Sequence, residues 1–133
     1  MIMLFLKTDF LFMQDLSEQA LIQVAQYFSA LAEPTRLRIL NHLREQEQNV
    51  GELAEHCECS QANVSRHLST LAKHGLVARE SRGTSVYYKI ADPSIYALCD
   101  LVCGNVAKQL ETQASLLSSI NSQTSNRKII KNK

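Results

Sequence analysis

A chain of 133 residues, 45% hydrophobic and 20% charged, has room for one compact core with short tails, which excludes a multi-domain enzyme. Four glycines and two prolines leave few breaks, so the composition predicts a mostly helical domain and excludes fibrous or wholly disordered chains. Fourteen Lys and Arg against thirteen Asp and Glu give a net charge of +1, which excludes a protein that coats nucleic acid by bulk charge alone.

The opening run Met1–Met13 is apolar but carries Lys7 and Asp9 and is too short to span a bilayer, so no membrane partner is expected. Residues 1–16 read either as an arm packing on a partner subunit or as the product of a start placed ahead of a true one at Met13. No secretory signal is visible, and four cysteines are too few for a disulfide scaffold, which predicts a cytoplasmic chain with reduced thiols. Leu21, Val24, Ala25, Phe28 and Leu31 recur at helical spacing and predict a first helix from a Ser17 cap to about Ala32. Pro34 suits the first position of a second helix, which carries Leu37, Ile39, Leu40 and Leu43 to about Glu45. The stretch "EQEQN" reads as a loop. Val50, Leu53 and Ala54 predict a short third helix ending near Cys57. Ser60 caps a fourth with Val64, Leu68 and Leu71 on one face, and Gly75 stops it.

After Gly75 the period changes from helical to two. Val77, Arg79 and Ser81 alternate with Ala78, Glu80 and Arg82, then Val86, Tyr88 and Ile90 alternate with Ser85, Tyr87 and Lys89, predicting a β-hairpin with a basic tip and one tyrosine packed inward. Asp92 and Pro93 start a fifth helix, with Ile95, Leu98, Val102, Val106 and Leu110 along its stripe, running to about Leu117. The polar remainder, 118–133, ends in four bases and reads as a disordered tail, leaving residues 17–117 as the folded domain.

Dividing the charge by region recovers an asymmetry that the total hides. From Phe10 to Cys59 there are eight acids and three bases; from Ser60 to Ile90 there are five bases against Glu80 alone. A short helix, a tight turn, a second helix opening with polar residues and a hairpin with arginines near its turn make the arrangement of a winged helix-turn-helix. Ser60, Gln61, Asn63, Ser65, Arg66 and His67 are the candidate DNA-reading residues of the fourth helix. Gln and Asn can pair with adenine, Arg with guanine, and hydroxyls can hold phosphates. Arg79, Arg82, Gly83 and Thr84 are the candidates on the wing. No glycine-rich phosphate loop, nucleophile elbow or paired carboxylates are present, so an enzyme is not expected.

The segments "LAEPTRLRIL", "VGELAE", "SQANVSRHLSTLAKHGLV" and "RESRGTSVYYKIAD", in this order and spacing, resemble the ArsR/SmtB family of bacterial winged-helix repressors over about Phe28 to Asp92. The resemblance implies a homodimer built from the first and fifth helices. It also implies binding to double-stranded operator DNA and release by an effector; no cofactor is expected to be required. A family Cys-x-Cys site at the start of the third helix is absent, since Asn49 and Gly51 stand at its cysteine positions. A family zinc-type site on the last helix is absent too: Asp92 matches its first ligand, but Ser94, Asn105 and Lys108 occupy the other places.

Two cysteine pairs remain. Cys99 and Cys103 are four apart on the fifth helix, with Cβ atoms about 5–6 Å apart, too wide for an unstrained disulfide but suited to joint ligation of one soft ion such as As(III) or Cd(II). Their other reading is as members of the apolar stripe, because a buried cysteine packs as a small hydrophobe. Cys57 and Cys59, beside the helix-turn-helix turn, are the weaker pair, with His56 next to them. The expected function is an ArsR-type repressor released by a soft metal or metalloid at cysteine thiolates. The alternatives are a thiol-redox or reactive-sulfur sensor of the same fold, or a winged-helix interaction module that does not bind DNA.

Overall fold

The computed structural model describes residues 15–131, with side chains through Arg127. The run Met1–Met13 and its two readings lie outside them. The chain divides after Asp92 into two units. The first holds α1 (Glu18–Leu31), α2 (Pro34–His42), β1 (Gln48–Asn49), α3 (Val50–Cys57), α4 (Gln61–Lys73), β2 (Val77–Arg82) and β3 (Ser85–Ile90); the second is one helix, α5 (Ser94–Lys131).

Local chemistry places the helix ends. The Ser17 hydroxyl accepts the Ala20 amide at 3.2 Å and opens α1, and the Glu33 carboxylate accepts the Arg36 amide at 2.9 Å and opens α2, with Pro34 in its first turn. A reciprocal box opens α3: Asn49 Oδ1 accepts the Glu52 amide at 2.8 Å, and the Glu52 carboxylate accepts the Asn49 amide at 3.1 Å. Ser60 Oγ accepts the Asn63 amide at 3.1 Å and opens α4. At the other end of α4, Gly75 takes φ +74° and lets the Leu76 amide reach back to the Leu71 carbonyl at 2.9 Å, satisfying a carbonyl of the last turn.

The hairpin closes as its period predicts. Val77 pairs with Ile90 and Arg82 with Ser85, leaving Gly83 and Thr84 as a two-residue turn whose first member has φ +61°. One element differs from expectation: Gln48 and Asn49 pair with Tyr88 and Tyr87, so part of the expected "EQEQN" loop is a third strand and the sheet order is β1-β3-β2, antiparallel throughout. The core of this unit gathers Ile39, Leu40 and Leu43 from α2, Leu53, Ala54 and Cys57 from α3, Val64, Leu68 and Leu71 from α4, and Leu76, Val77 and Tyr88 from the wing. Five of these, Ile39, Leu53, Val64, Leu68 and Leu71, have no exposed surface.

The second unit corrects the expected tail. The helix does not stop near Leu117 but runs to Lys131, through residues assigned to disorder. No glycine or proline interrupts it after Gly104, and its hydroxyl side chains bond within the helix: Ser122 Oγ donates to the Ser118 carbonyl and Thr124 Oγ1 to the Ile120 carbonyl, each at 3.0 Å. Among the described residues, no helix is long and apolar enough to cross a membrane.

Candidate nucleic-acid interface

Between α3 and α4 the chain turns in three residues. Glu58 takes the left-handed conformation (φ 55°, ψ 42°), which returns the Cys59 amide to the Ala54 carbonyl at 3.0 Å and sets Ser60 to cap α4. Both cysteines of this region are part of that turn. Cys57 is buried in the core, and Cys59 Sγ donates to the Cys57 carbonyl at 3.2 Å. Burial, and then the neighbouring Cys59, push the Cys57 thiol up, an effect that Arg38 only partly opposes. A protonated, buried sulfur is a poor nucleophile and a poor metal ligand, so the packing role fits Cys57 better than the sensing one. His56 faces away from this pair: its Nδ1 donates to Gln48 Oε1 at 2.8 Å, and its ring stacks on His42 at 5.3 Å between centroids. Gln48 itself is buried and donates to the His42 carbonyl at 2.8 Å, holding β1 against the end of α2.

The helix after the turn has two faces. Val64, Leu68 and Leu71 are buried, whereas Gln61, Ser65 and Arg66 are exposed and Asn63 is half-buried. Arg66 Nη2 donates to Asn63 Oδ1 at 2.8 Å, so these two candidate readers hold each other one turn apart. His67 is the exception. It is 6% exposed and lies on the core side of α4, so the expectation that it faces DNA is corrected. Its Nδ1 stands 3.4 Å from Arg36 Nη1 and 3.8 Å from Glu33 Oε2.

Arg36 is the centre of that cluster. Its Nε donates to the Ala30 carbonyl at 2.6 Å and its Nη2 to the Ser29 carbonyl at 3.2 Å, so one guanidinium grips the C-terminal carbonyls of α1 while it touches α4. The position suits a cation, because the last carbonyls of a helix carry partial negative charge. The Arg36 amide, and less strongly the nearby His67, lower the Glu33 carboxyl below its ordinary value, against a smaller opposing effect of burial.

On the wing, Arg79, Gly83 and Thr84 are exposed, as is the guanidinium of Arg82, but Arg82 is already engaged. It forks onto both carboxylate oxygens of Glu47, its Nη2 also donates to Glu80 at 2.9 Å, and its guanidinium lies 5.0 Å from the centre of the Tyr87 ring. The two carboxylates, Glu47 foremost, raise its proton affinity further. The cationic segment is therefore less positive in space than along the chain. Tyr88 packs inward at 8% exposure, as one of the two tyrosines should.

This short helix, three-residue turn, two-faced helix and paired hairpin find their counterpart in known proteins. Residues 33–79 match the profile of bacterial regulatory proteins of the arsR family. The chain also aligns with the crystal structure of Rv0081 from M. tuberculosis at 33% identity and a TM-score of 0.67, over 74% of this chain and 99% of that one. This chain belongs to the ArsR family. A second solved structure of the same fold is the homodimeric winged helix-turn-helix DNA-binding domain (fragment 1–100) of Mb0332 from Mycobacterium bovis, described as a possible ArsR-family transcriptional regulator, at 33% identity and a TM-score of 0.64, over 73% of this chain and 93% of that one. A relative from Streptomyces lividans, named "Probable mercury resistance operon repressor", is 39% identical over 71 residues, 53% of this chain. The chain spans just over half the length of the curated relatives it matches first, 57% of the Streptomyces lividans protein. ArsR-family proteins are transcriptional regulators, in line with the expectation that this one is not an enzyme.

The cysteines of the second unit lie one turn apart on α5, Cys99 half-buried and Cys103 exposed, and no cysteine of the chain is in a disulfide. Among the described residues, no group of three or more His, Cys, Asp or Glu side chains is placed to hold a metal ion.

Proposed function

We propose that this ArsR-family protein is a dimeric transcriptional repressor that reads operator DNA with α4 and the wing. The observation that carries this reading is the two-faced α4. Its exposed Gln61, Ser65 and Arg66 stand opposite a fully buried stripe, which is what a helix needs to enter a major groove while staying anchored. Ser60, Asn63, Arg79, Gly83 and Thr84 complete the contact surface, with Arg82 after exchange of its partners. A dimer sets two such helices on half-sites about 34 Å apart, one turn of DNA. A gel shift with the DNA upstream of its own gene tests the reading: saturable binding at low salt is expected, and none would leave a winged-helix module for protein contacts.

Glu47 holds Arg82 away from phosphate. Glu47→Gln is therefore expected to tighten DNA binding on every sequence alike and to steepen the salt dependence by about one counterion. Titration of affinity against salt measures this, and an unchanged slope would show that Arg82 keeps its carboxylate partners on DNA.

We further infer that Cys99 and Cys103 are the effector site and that their class of ligand is a soft metal or metalloid, As(III), Cd(II) or a relative. The i,i+4 thiols supply the chemistry, and the mercury-resistance name of the Streptomyces lividans relative supports a soft thiophile. Occupation changes how two α5 helices pair and with that the spacing of the recognition helices. A differential affinity of about 1–3 kcal/mol is enough for release. Arsenite, Cd(II), Zn(II) and a polysulfide are titrated into the DNA complex of the wild type and of the Cys99→Ser, Cys103→Ser double variant. Release by a thiophilic ion in the wild type alone is expected. Release by polysulfide alone identifies a reactive-sulfur sensor, and equal release of both proteins removes this pair from the sensing role.

A further inference from the structure

Two imidazoles that take no part in the reading face stand together at the ends of α2 and α3. His42 is the last residue of α2 and His56 lies in the last turn of α3, and their ring centres are 5.3 Å apart with planes inclined by 27°. The C-terminal end of a helix carries partial negative charge, so the two ends that these rings share favour a cation. Gln48 fixes how the pair is presented. It is 3% exposed and its Nε2 donates to the His42 carbonyl at 2.8 Å, so its Oε1 can only accept, and the proton of the bond to His56 belongs to His56 Nδ1. The lone pair of the neutral His56 ring is then on Nε2. An imidazole that donates one nitrogen to an amide oxygen and offers the other is the form in which histidine binds a metal. Water satisfies an ordinary helix-end histidine, whereas here a buried amide holds the ring.

The ring separation is also that of a ligand pair. With donor nitrogens about 2.0–2.1 Å from a tetrahedral ion, two imidazole centres lie about 5 Å apart. The rings border a cavity of about 360 Å³ whose wall includes Arg44 and Glu45, opposite charges that leave the helix ends to set the field. Among the described residues no third His, Cys, Asp or Glu closes the set, so water takes the remaining positions and the ion exchanges readily.

We propose that His42 and His56 form a site for a borderline divalent ion of the Zn(II) and Ni(II) class, separate from the thiols of α5 and selecting by imidazole instead of sulfur. Its occupation bears on the wing. An ion on Nε2 makes Nδ1 a stronger donor and tightens the hold on Gln48, which pairs with Tyr88 of β3 and adjoins Glu47, the partner of Arg82. The loaded site keeps Arg82 on its carboxylate and off phosphate. This relay rests on the DNA-reading function proposed above; the site itself does not.

Co(II), read by absorption, and Zn(II), read by calorimetry, are titrated into the untagged full chain in the Cys99→Ser, Cys103→Ser background. One ion per chain is expected, with visible ligand-field bands and without the near-ultraviolet charge transfer of a cobalt thiolate. His56→Gln is expected to lower the affinity at least about ten-fold, the lower end of what loss of an outer partner costs a metal site. His74→Gln, which removes an imidazole from the end of α4, should leave it unchanged. His56 is exposed, so its replacement spares the core, and an unchanged circular dichroism spectrum checks this. Equal affinity in His56→Gln and its parent, an equal loss in His74→Gln, or cobalt-thiolate absorption overturns the site. On DNA, Zn(II) should weaken binding several-fold in the parent and in neither His56→Gln nor Glu47→Gln. An unchanged DNA affinity in the loaded parent overturns the relay and leaves the site. A chain that binds the ion but no DNA overturns the repressor reading and the relay together, and again leaves the site.

Discussion

Arg36→Ala is expected to lower the stability of the DNA-reading unit by about 2–3 kcal/mol, a large share of the 5–15 kcal/mol typical of a domain. The guanidinium donates to the Ala30 and Ser29 carbonyls at 2.6 and 3.2 Å, and Ala30 is only 2% exposed, so water does not readily replace the lost donor at that carbonyl. Hydrogen bonds from a charged donor contribute about 1.5–3 kcal/mol each where they are sheltered; the Ser29 bond is exposed and counts for less. The alanine chain keeps the Arg36 amide and with it the cap from Glu33, so the loss reports the side chain alone. Urea denaturation followed by circular dichroism measures it, with a lower midpoint at unchanged slope. A lysine at this position carries its donors on one nitrogen, where the planar fork sets three nitrogens against separate partners, so Arg36→Lys should recover less than half. A loss below about 0.5 kcal/mol would mean that α1 is held to α2 and α4 by apolar contact and not by this cation.

The same cluster fixes the sign of an acid dependence. Glu33 has a lowered carboxyl in the folded chain, so its contribution is complete above the ordinary carboxylate value of 4.5 and disappears as pH falls through the lowered folded value. Acidification therefore loosens the start of α2, next to the contact between Arg36 and His67.

What the sequence shows of this molecule is what local chemistry writes. Ser17, Pro34, Ser60 and Gly75 each mark a helix end by a capping or backbone preference that acts within four residues, and the structure has its helix ends there. The wing was legible because its alternation and the Gly83 turn are also local. The two-residue strand Gln48–Asn49 was not, because two residues have no period and their partners, Tyr88 and Tyr87, are about forty positions away. His67 was legible in principle. It stands three residues after Val64 and four before Leu71, on the stripe itself, but its polarity outweighed its spacing. The partner of Arg82 was out of reach for the same reason as the strand: Glu47 lies 35 residues away, in the acidic half. Counting charge along the chain set that half apart from the basic segment, whereas the fold brings one of its carboxylates to the wing. The long α5 was hidden by composition, since serine and asparagine read as disorder unless the leucine spacing between them is followed.

Leu68→Ala and Arg66→Ala are expected to separate what the two faces of α4 do. Leu68 has no exposed surface and is flanked on the same face by Val64 and Leu71, both fully buried as well, so truncation leaves a cavity that close-packed neighbours fill only in part. The expected cost is about 2–5 kcal/mol, close to the whole stability of a marginal domain. In a thermal melt that is a fall of at least about 8 °C, given about 4–8 °C per kcal/mol for a unit of 60–100 residues. Arg66, two positions earlier, is exposed and its side chain donates to Asn63, while the carbonyl that accepts from Thr70 is kept in the alanine variant, so its removal should move stability by less than about 0.5 kcal/mol. In DNA binding the order reverses. Measured on folded protein, Arg66→Ala should lose about 1–3 kcal/mol of discrimination at one base pair of each half-site, whereas Leu68→Ala should weaken all sequences alike by loosening the helix that carries the readers. Equal losses on every sequence for Arg66→Ala would make it a phosphate contact. A stable, fully binding Leu68→Ala protein would contradict the description of α4 as a helix whose buried stripe holds its reading face in place.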